Sequence, residues 1–599
     1  MNKSFIKSTI AIVAAAVLFS ACGKKSDTAQ TPNSAGNFPL PESPYVSKCE
    51  PGIPGGRLIL ATFGDPKTFN PITANENSST DILLLLFSSL ASVDVPTQEM
   101  LPGLAESWSV EADQKTWTFH LRRGVRWSDG EPLTADDVLF TFNDVIYNTN
   151  IINVTVDQFR IDGKDFIVSK VDDYTVRVVT PDIYAPFLRF FGNAPILPKH
   201  ALTKAVAEHR FEAAYGINTP PAEMVGCGPY RLKEYKPGEF TLLERNPYYW
   251  VVDSKGQRLP YIDNVIYTVV PDQNAMSLRF LKGEADAQDF VRPEEYDTFK
   301  KESEKGRFIL SELGLANEHD DLTFNQNTNI NTKTGKPYAD QTKVKWFRQT
   351  KFRQAISYAI DRPAIVRGSL GGRGVPNYSF ESAQNKQWFN PNTAQYPYDP
   401  AKARALLKEI GIEDRDGDGY LEDADGHVIE FVMNTNTGNS RRNQTAVIIQ
   451  EDLKRLGIKL IFQPLEFNTV VNKLHVDCDF DCILLGWAGG APDPTFNMNV
   501  FKSSGYSHEW FPRQTTPSTE WEARMDWLAN AQLKTLDFNE RKKYYDEIQA
   551  ILAGQVPMIF TTSMQAYAAV RSDLGNVRGT TLDSKRVTWN VEELYFKKK

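Results

Sequence analysis

Hydrophobic positions along this chain recur with two periods, and each period predicts a different element. In TWTFHLRRGVRWSDG, Trp117, Phe119 and Leu121 alternate with Thr118, His120 and Arg122, the two-residue period of a half-buried strand, and Ser128-Asp129-Gly130 closes it with turn chemistry. LTADDVLFTFNDV then shifts to helical spacing, with Thr134 as N-cap and Asp136 and Asp137 in the positive first turn. The alternation of types continues. GGRLILATF reads as a strand breaking at Gly64 and Pro66, and STDILLLLFSS as an apolar helix opened by Ser79 and Thr80. YTVRVVT and FTLLERNPYYW are further strands, and NAMSLRFLKGEADA is a helix ending at Gly283. RFILSELG and DDLTFNQNT read as strands, KFRQAISYAIDRPAIV as one helix, and DPAKARALLKEIG as a helix capped by Asp399. HVIEFVMNTN and IKLIFQPLE flank the helix RNQTAVIIQEDLKRLG, and FDCILLGW is the next strand. EWEARMDWLANAQL and FNERKKYYDEIQAILAGQ are helices, and PMIFTTS and RVTWNVEELYF close the chain. Strands alternating with helices predict an α/β fold.

The first 22 residues depart from this pattern. MNKSFIK is a short basic start, IAIVAAAVLF a ten-residue apolar run, and SAC ends on small residues and Cys22. Ten apolar residues cannot span about 30 Å of hydrocarbon, so the segment reads as an export signal. LFSAC resembles a bacterial lipobox, in which the chain is cut before the cysteine and that cysteine is diacylated. Residues 1–21 are then a lipoprotein signal peptide, and 22–48 a lipidated cysteine on a polar tether.

Composition narrows the partners. With 67 Lys and Arg against 75 Asp and Glu, the net charge is −8, which excludes the basic face that nucleic acid needs. At 599 residues the chain predicts two to four domains. Beyond Cys22, four cysteines remain: Cys49, Cys227, Cys478 and Cys482. In an oxidising compartment an even number permits disulfides, and Cys49–Cys227 with a local Cys478–Cys482 pair is the expected set. Metal binding by cysteine is the rival, but the seven histidines are scattered and no zinc-site spacing occurs.

Two stretches carry candidate chemistry. GWAGGAPDPT, residues 486–495, presents Trp487 among glycines and prolines directly after an apolar strand, either as packing or as a surface for something to stack on. DRDGDGYLEDAD, residues 414–425, has the spacing of an EF-hand calcium loop. Asp414, Asp416 and Asp418 stand at positions one, three and five, Gly419 at six, Tyr420 offers a carbonyl at seven, Glu422 stands at nine, and Asp425 at twelve. A strand follows it where an EF-hand has a second helix, so an acidic Gly-rich turn is the competing reading. No cofactor is required; structural calcium is the one candidate.

Several stretches in order resemble the extracellular solute-binding proteins of bacterial ABC importers, the family of oligopeptide- and dipeptide-binding proteins. They are LPGLAESWSV, WTFHLRRGVRWSDGEPLTADDVLFTF, GCGPYRLKEYKPGEFTLLERNPYYW, FRQAISYAIDRPAIV, YDPAKARALLKEIG, FDCILLGWAGGAPDPTF and QVPMIF. The resemblance implies a type II periplasmic-binding-protein fold of three domains in two lobes, with a ligand cleft between them. Domain I would hold 49–82, 222–305 and 560–599, domain II the insertion 83–221, and domain III the second lobe, 306–559. It places Trp487, Gly489 and Gly490 at the lobe interface; the residues themselves offer Asn436, Asn439 and Arg441, at a strand end before a helix, as partners for a ligand carboxylate or as a solvated loop, and Asn325 and Asn70 at other strand ends in the same way. Peptide binders of the family carry an aspartate three residues after this tryptophan, which pairs with the ligand's amino group. Gly490 stands there instead, which points to a ligand held through uncharged groups.

The function so implied is a lipid-anchored, extracytoplasmic solute-binding protein, periplasmic in a Gram-negative cell, that delivers an oligopeptide or peptide-like solute to an ABC permease and ATPase. A non-peptide solute such as an oligosaccharide, and a surface peptide-scavenging lipoprotein, are the alternatives. A monomer is expected. A hydrolase is the rival from another class, and GxSxG, HExxH and paired His/Cys spacings are all lacking.

Overall fold

Three sheets organise the chain. The computed structural model describes residues 38–598 except 75, 152, 154, 162, 333 and 488–492, and Leu40–Lys599 form one compact unit. Cys22, Gly489 and Gly490 therefore lie outside the described residues. The largest sheet runs Tyr230–Lys236, Phe240–Arg245, Asn264–Val270, Arg57–Phe63, Ala287–Val291, Thr562–Arg571 and Phe308–Leu315, with Gly374–Pro376 added against Thr562–Arg571. A four-stranded antiparallel sheet is built from Ala105–Val110, Thr116–Leu121, Thr175–Val179 and Ile167–Asp172. Its Trp117, Phe119 and Leu121 are buried while His120 is exposed, as the alternation requires. The helix after it starts at Ala135 and carries a full capping box between Thr134 and Asp137.

The third sheet has five strands in the order Lys459–Leu465, Glu430–Asn436, Cys482–Trp487, His319–Phe324 and Met558–Phe560. The first two are parallel and joined through the helix Ser440–Leu456, which ends on left-handed Gly457. Both faces are covered. Leu322, Phe324, Phe431 and Leu484 pack with the helices Thr350–Ala359 and Ser440–Leu456, and Phe560 joins a second core with Trp510, Met525 and Tyr545. His319–Phe324, between these layers, is buried at all six positions.

The chain passes between the large and five-stranded sheets four times, because Gly374–Pro376 returns to the large sheet between His319–Phe324 and Glu430–Asn436, and the first and last crossings frame the strand end at His319. It first leaves through 316–318, between Leu315 and His319, and last returns through Thr561, between Phe560 and Thr562. These two connections lie side by side. The Thr561 backbone N–H and hydroxyl both donate to the Asp320 carbonyl (3.0 and 2.9 Å), and the Ala316 N–H donates to the Met564 carbonyl at 2.8 Å. Among the described residues no helix is long and apolar enough to cross a membrane.

Three expectations need correction. KFRQAISYAIDRPAIV is two helices, Thr350–Ala359 and Arg362–Ser369, because Asp361 caps the second through the Ala364 N–H and Pro363 cannot continue the first. The helix at 77 is not opened by Ser79 or Thr80. It begins at Asn77 with Glu76 as N-cap, and Ser79 is buried inside it. All four described cysteines are free thiols. The Cys49 Sγ faces the Tyr261 hydroxyl at 3.9 Å, whereas Cys227 is wholly buried, and burial pushes its thiol up to about 12. Cys478 sits on a left-handed residue before the strand, while Cys482 points into the core with its Sγ 3.5 Å from the Val432 carbonyl. An even count of cysteines says nothing about whether their side chains converge.

Candidate ligand-binding site

The strand Cys482–Trp487 ends beside the two connections, and its last two residues point to opposite faces of the sheet. Trp487 pairs in register with His319. Its indole is half-buried, 6.3 Å from the Phe380 ring, and packs against the second core of this lobe without being sealed in it. His319 shares that face, edge-on to Phe380 (5.0 Å) and Phe560 (5.2 Å). Burial pushes its imidazole down to about 4, so it is neutral at pH 7, and its Nε2 has no hydrogen-bond partner. Two residues along, burial drives the Asp321 carboxyl up to about 7 despite a hydrogen bond from Thr323 (2.8 Å), and the Asp320 charge adds to the rise. Glu509 is raised by burial and by the charge of Asp321. The Trp487 face thus carries a neutral imidazole and two buried carboxyls whose ionisation burial opposes.

The opposite face is charged and paired. Arg441 Nη2 lies 3.0 Å from Asp320 Oδ2, and Arg442 Nε lies 2.9 Å from Oδ1. Arg442 also donates to Asn436 Oδ1 at 3.0 Å, and Asn439 caps the helix by accepting from the Arg442 N–H. Arg441 Nη1 lies 3.1 Å from Met564 Sδ, on the long strand of the large sheet. A Cβ at Gly486 would stand 2.2 Å from Asp320 Oδ1, which is why glycine precedes the tryptophan. Asn436, Asn439 and Arg441 are therefore brought together around one helix N-terminus, on the far side of the sheet from Trp487.

Asn70 and Asn325 are elsewhere and engaged. Asn70 donates to the Phe211 and Ala214 carbonyls and accepts from the Ile72 N–H. Asn325 donates to the Cys478 and Phe480 carbonyls and accepts from the Asn327 N–H. Both are buried loop-fixing residues whose two amide donors are spent on backbone carbonyls.

Beyond the 488–492 segment the chain is anchored again. Asp493 accepts two bonds from Arg541 (2.8 and 2.9 Å) and one from the Thr495 N–H (3.0 Å). Burial alone would raise its carboxyl, but the Arg541 guanidinium together with the Thr495 hydrogen bonds holds it below the usual range. Here the five-stranded lobe meets residues packed on the four-stranded sheet. Phe496 lies 4.7 Å from Phe190, Arg189 Nε lies 4.0 Å from Asp493, and the Ala185 N–H donates to the Leu533 carbonyl at 2.7 Å. Sequence reasoning missed Asp320, Arg442, His319, Arg189 and Phe496, and nothing in their local pattern marks them. A solvent-open hollow of about 710 Å³ between 67–76 and 212–223 contains none of the cleft candidates.

The acidic loop lies away from this region. Ligand oxygens of Asp414, Asp416, Asp418 and Glu422 all fall within 4.8 Å of one another. Asp425 is not among them. It groups with Asp423 and His427 and lies 3.7 Å from Lys345, because the chain turns at Gly426 toward the strand instead of entering a helix.

A sequence profile of the bacterial extracellular solute-binding proteins, family 5, matches residues 99–509. The chain belongs to this family. The oligopeptide-binding protein AppA of Bacillus subtilis is 28% identical over 606 residues, 97% of each chain. A probable ABC transporter-binding protein of Deinococcus radiodurans is 30% identical over 450 residues, 73% of this chain and 74% of that one. The solved structure of AppA with a nonapeptide superposes with a TM-score of 0.71 at 27% identity, covering 91% of this chain and all of that one. MelB from Agrobacterium fabrum, solved with stachyose, gives 0.75 at 23% identity over 93% of this chain and 88% of that one, which speaks to the fold alone. This family 5 protein accordingly has the type II binding-protein fold, and serves as the extracellular solute-binding component of an ABC transporter.

Proposed function

We propose that this protein captures an oligopeptide or peptide-like solute between its lobes and hands it to an ABC permease, without catalysing a reaction. It does so as a monomer tethered to the membrane by acyl chains on Cys22. The observation that carries the solute class is the half-exposed Trp487 ring beside the inter-lobe connections, in a chain that aligns with an oligopeptide-binding relative along 97% of its length. An indole there gives stacking area at small entropic cost. The imidazole of His319, neutral and buried beneath the same face, puts no charge under the ring.

Native mass spectrometry of the protein as isolated, followed by calorimetric titration of the stripped protein, tests this reading. Peptides should bind saturably, and an N-acetylated peptide should bind within tenfold of its free-amine form because Gly490 supplies no carboxylate. A preference for the free amine beyond tenfold would assign the amine to another acid. Binding of oligosaccharides but no peptides would overturn the solute class, and turnover of bound peptide would overturn the non-catalytic role.

A further inference from the structure

We infer that Asp414, Asp416, Asp418 and Glu422 form a calcium site, outside the ligand cleft and independent of the proposed solute. Glu413 and Glu422 close the loop by exchanging backbone hydrogen bonds (3.1 and 3.0 Å). Inside it Gly417 and Gly419 take left-handed φ of +83° and +93°, which lets the backbone fold back on itself. The Gly417 and Gly419 N–H groups donate to the two oxygens of Asp414, the Asp418 N–H to Asp416 Oδ1, and the Tyr420 N–H to Asp418 Oδ1. The backbone thus sets the carboxylates and leaves oxygen lone pairs over.

Four carboxylates within 4.8 Å repel one another, and among the described residues no Lys, Arg or His forms an ion pair with any of them. The nearest candidate, Arg415, turns its guanidinium away to the Asp423 and Gly411 carbonyls. A solvated turn could tolerate three exposed aspartates. It does not account for Glu422, which is 6% exposed, uses Oε2 to accept from the Arg415 N–H, and has a buried Oε1 with no partner. A buried carboxylate oxygen without a donor is costly, and Glu422 carries it into a cluster of carboxylates where a cation would satisfy it. Oxygen-only donors from a short flexible loop suit calcium, which accepts irregular coordination completed by carbonyls and water, better than magnesium, which demands an octahedron. Bound there, the ion would tie the helix Pro400–Glu409 to the strand Glu430–Asn436 and, through the Leu421 N–H on the Gly457 carbonyl, to the end of the helix Ser440–Leu456.

The test is calorimetric titration of CaCl2 into the full-length mature protein after EGTA treatment, paired with melts in CaCl2 and in EGTA. One calcium should bind per chain, at least tenfold tighter than magnesium, and raise the melting midpoint. Asp416→Asn with Asp418→Asn, and separately Glu422→Gln, should each weaken calcium binding at least tenfold, while their midpoints in EGTA stay at or above that of the parent protein because repulsion is relieved. Asp425→Asn should leave affinity unchanged. No heat and no midpoint shift up to millimolar calcium, or calcium binding that survives all three site substitutions, would overturn the assignment.

Discussion

Asp493 anchors the far end of the 488–492 segment, and replacing it by asparagine should be among the most damaging single-atom changes in this lobe. Both members of its pair are sheltered: the Arg541 side chain is 8% exposed and that of Asp493 5%. Arg541 spends its remaining donors on the Gln532 carbonyl and side chain and on Thr495, so it cannot turn to solvent. Asp493→Asn keeps the volume but leaves a buried guanidinium without its counter-charge, a change that costs about 3–5 kcal/mol. The pair Arg524–Glu547 has the same bidentate geometry at 2.7 and 2.8 Å, yet its side chains are 46% and 43% exposed. There, Glu547→Gln should cost about 0–1 kcal/mol, because water already solvates both ions. Burial, and not bond length, decides between the two.

Hydrogen exchange read by mass spectrometry reports the cost locally. A loss of about 3 kcal/mol accelerates exchange through local opening roughly 100-fold in Phe538–Gln555. Exchange in the helix Pro400–Glu409, which packs in a different core, should not change. Asp493→Asn combined with Arg541→Met removes the stranded charge and should recover part of the loss. Because the Asp493 carboxyl is held below its unfolded value, its contribution is present above about pH 4 and disappears as the pH falls through the lower folded value. If Asp493→Asn accelerates exchange less than threefold, or the double variant is no better than the single, the pair is not holding this region.

Trp487→Ala should weaken solute binding by about 1–3 kcal/mol in calorimetry, with little change in melting midpoint, since the ring is only half-buried; an equal loss in both would make it a packing residue. Burial pushes the Glu381 carboxyl up to about 7, so the folded chain retains a proton that the unfolded chain loses near pH 4, and this contribution is lost as the pH rises through 7. Relative to Glu381→Gln, the parent protein should therefore lose stability between pH 5 and 8, and a flat difference across that range refutes it. Cys22→Ser should move the protein from the membrane fraction to soluble extract; retention on membranes after a high-salt wash would mean another anchor.

What could be read from sequence was local and repetitive. The alternation at Trp117, Phe119 and Leu121, the cap at Thr134, the stop at Gly283 and the strand–helix–strand unit over 430–465 each follow from a few neighbouring residues, and each is present. The long strand Thr562–Arg571 was legible only at its first residues. Its AYAAV stretch has weak strand propensity and is held by partners on both sides. DDLTF was legible as a strand but the burial of its two aspartates was not: Asp320 is paired with two arginines more than a hundred residues away, and burial drives the Asp321 carboxyl up to about 7. Asn70 and Asn325 show the reverse error, since polar residues at strand ends looked available and are consumed by backbone carbonyls.

Asp320 ties together the elements that meet where the strand Cys482–Trp487 ends. Its carbonyl receives both donors of Thr561, so the incoming and outgoing connections are fastened to each other one residue from the crossing. Its carboxylate receives Arg441 and Arg442, so the strand His319–Phe324 is fastened to the first turn of the helix Ser440–Leu456. Closing the lobes of a type II fold is a bending at such crossings. With Asp320 held from two directions, the strand His319–Phe324 and the helix Ser440–Leu456 are tied to each other directly beside the crossings at 316–318 and Thr561. The Arg441–Met564 contact reaches across to the large sheet. A solute bound at Trp487, as proposed above, would therefore sit directly beside these connections.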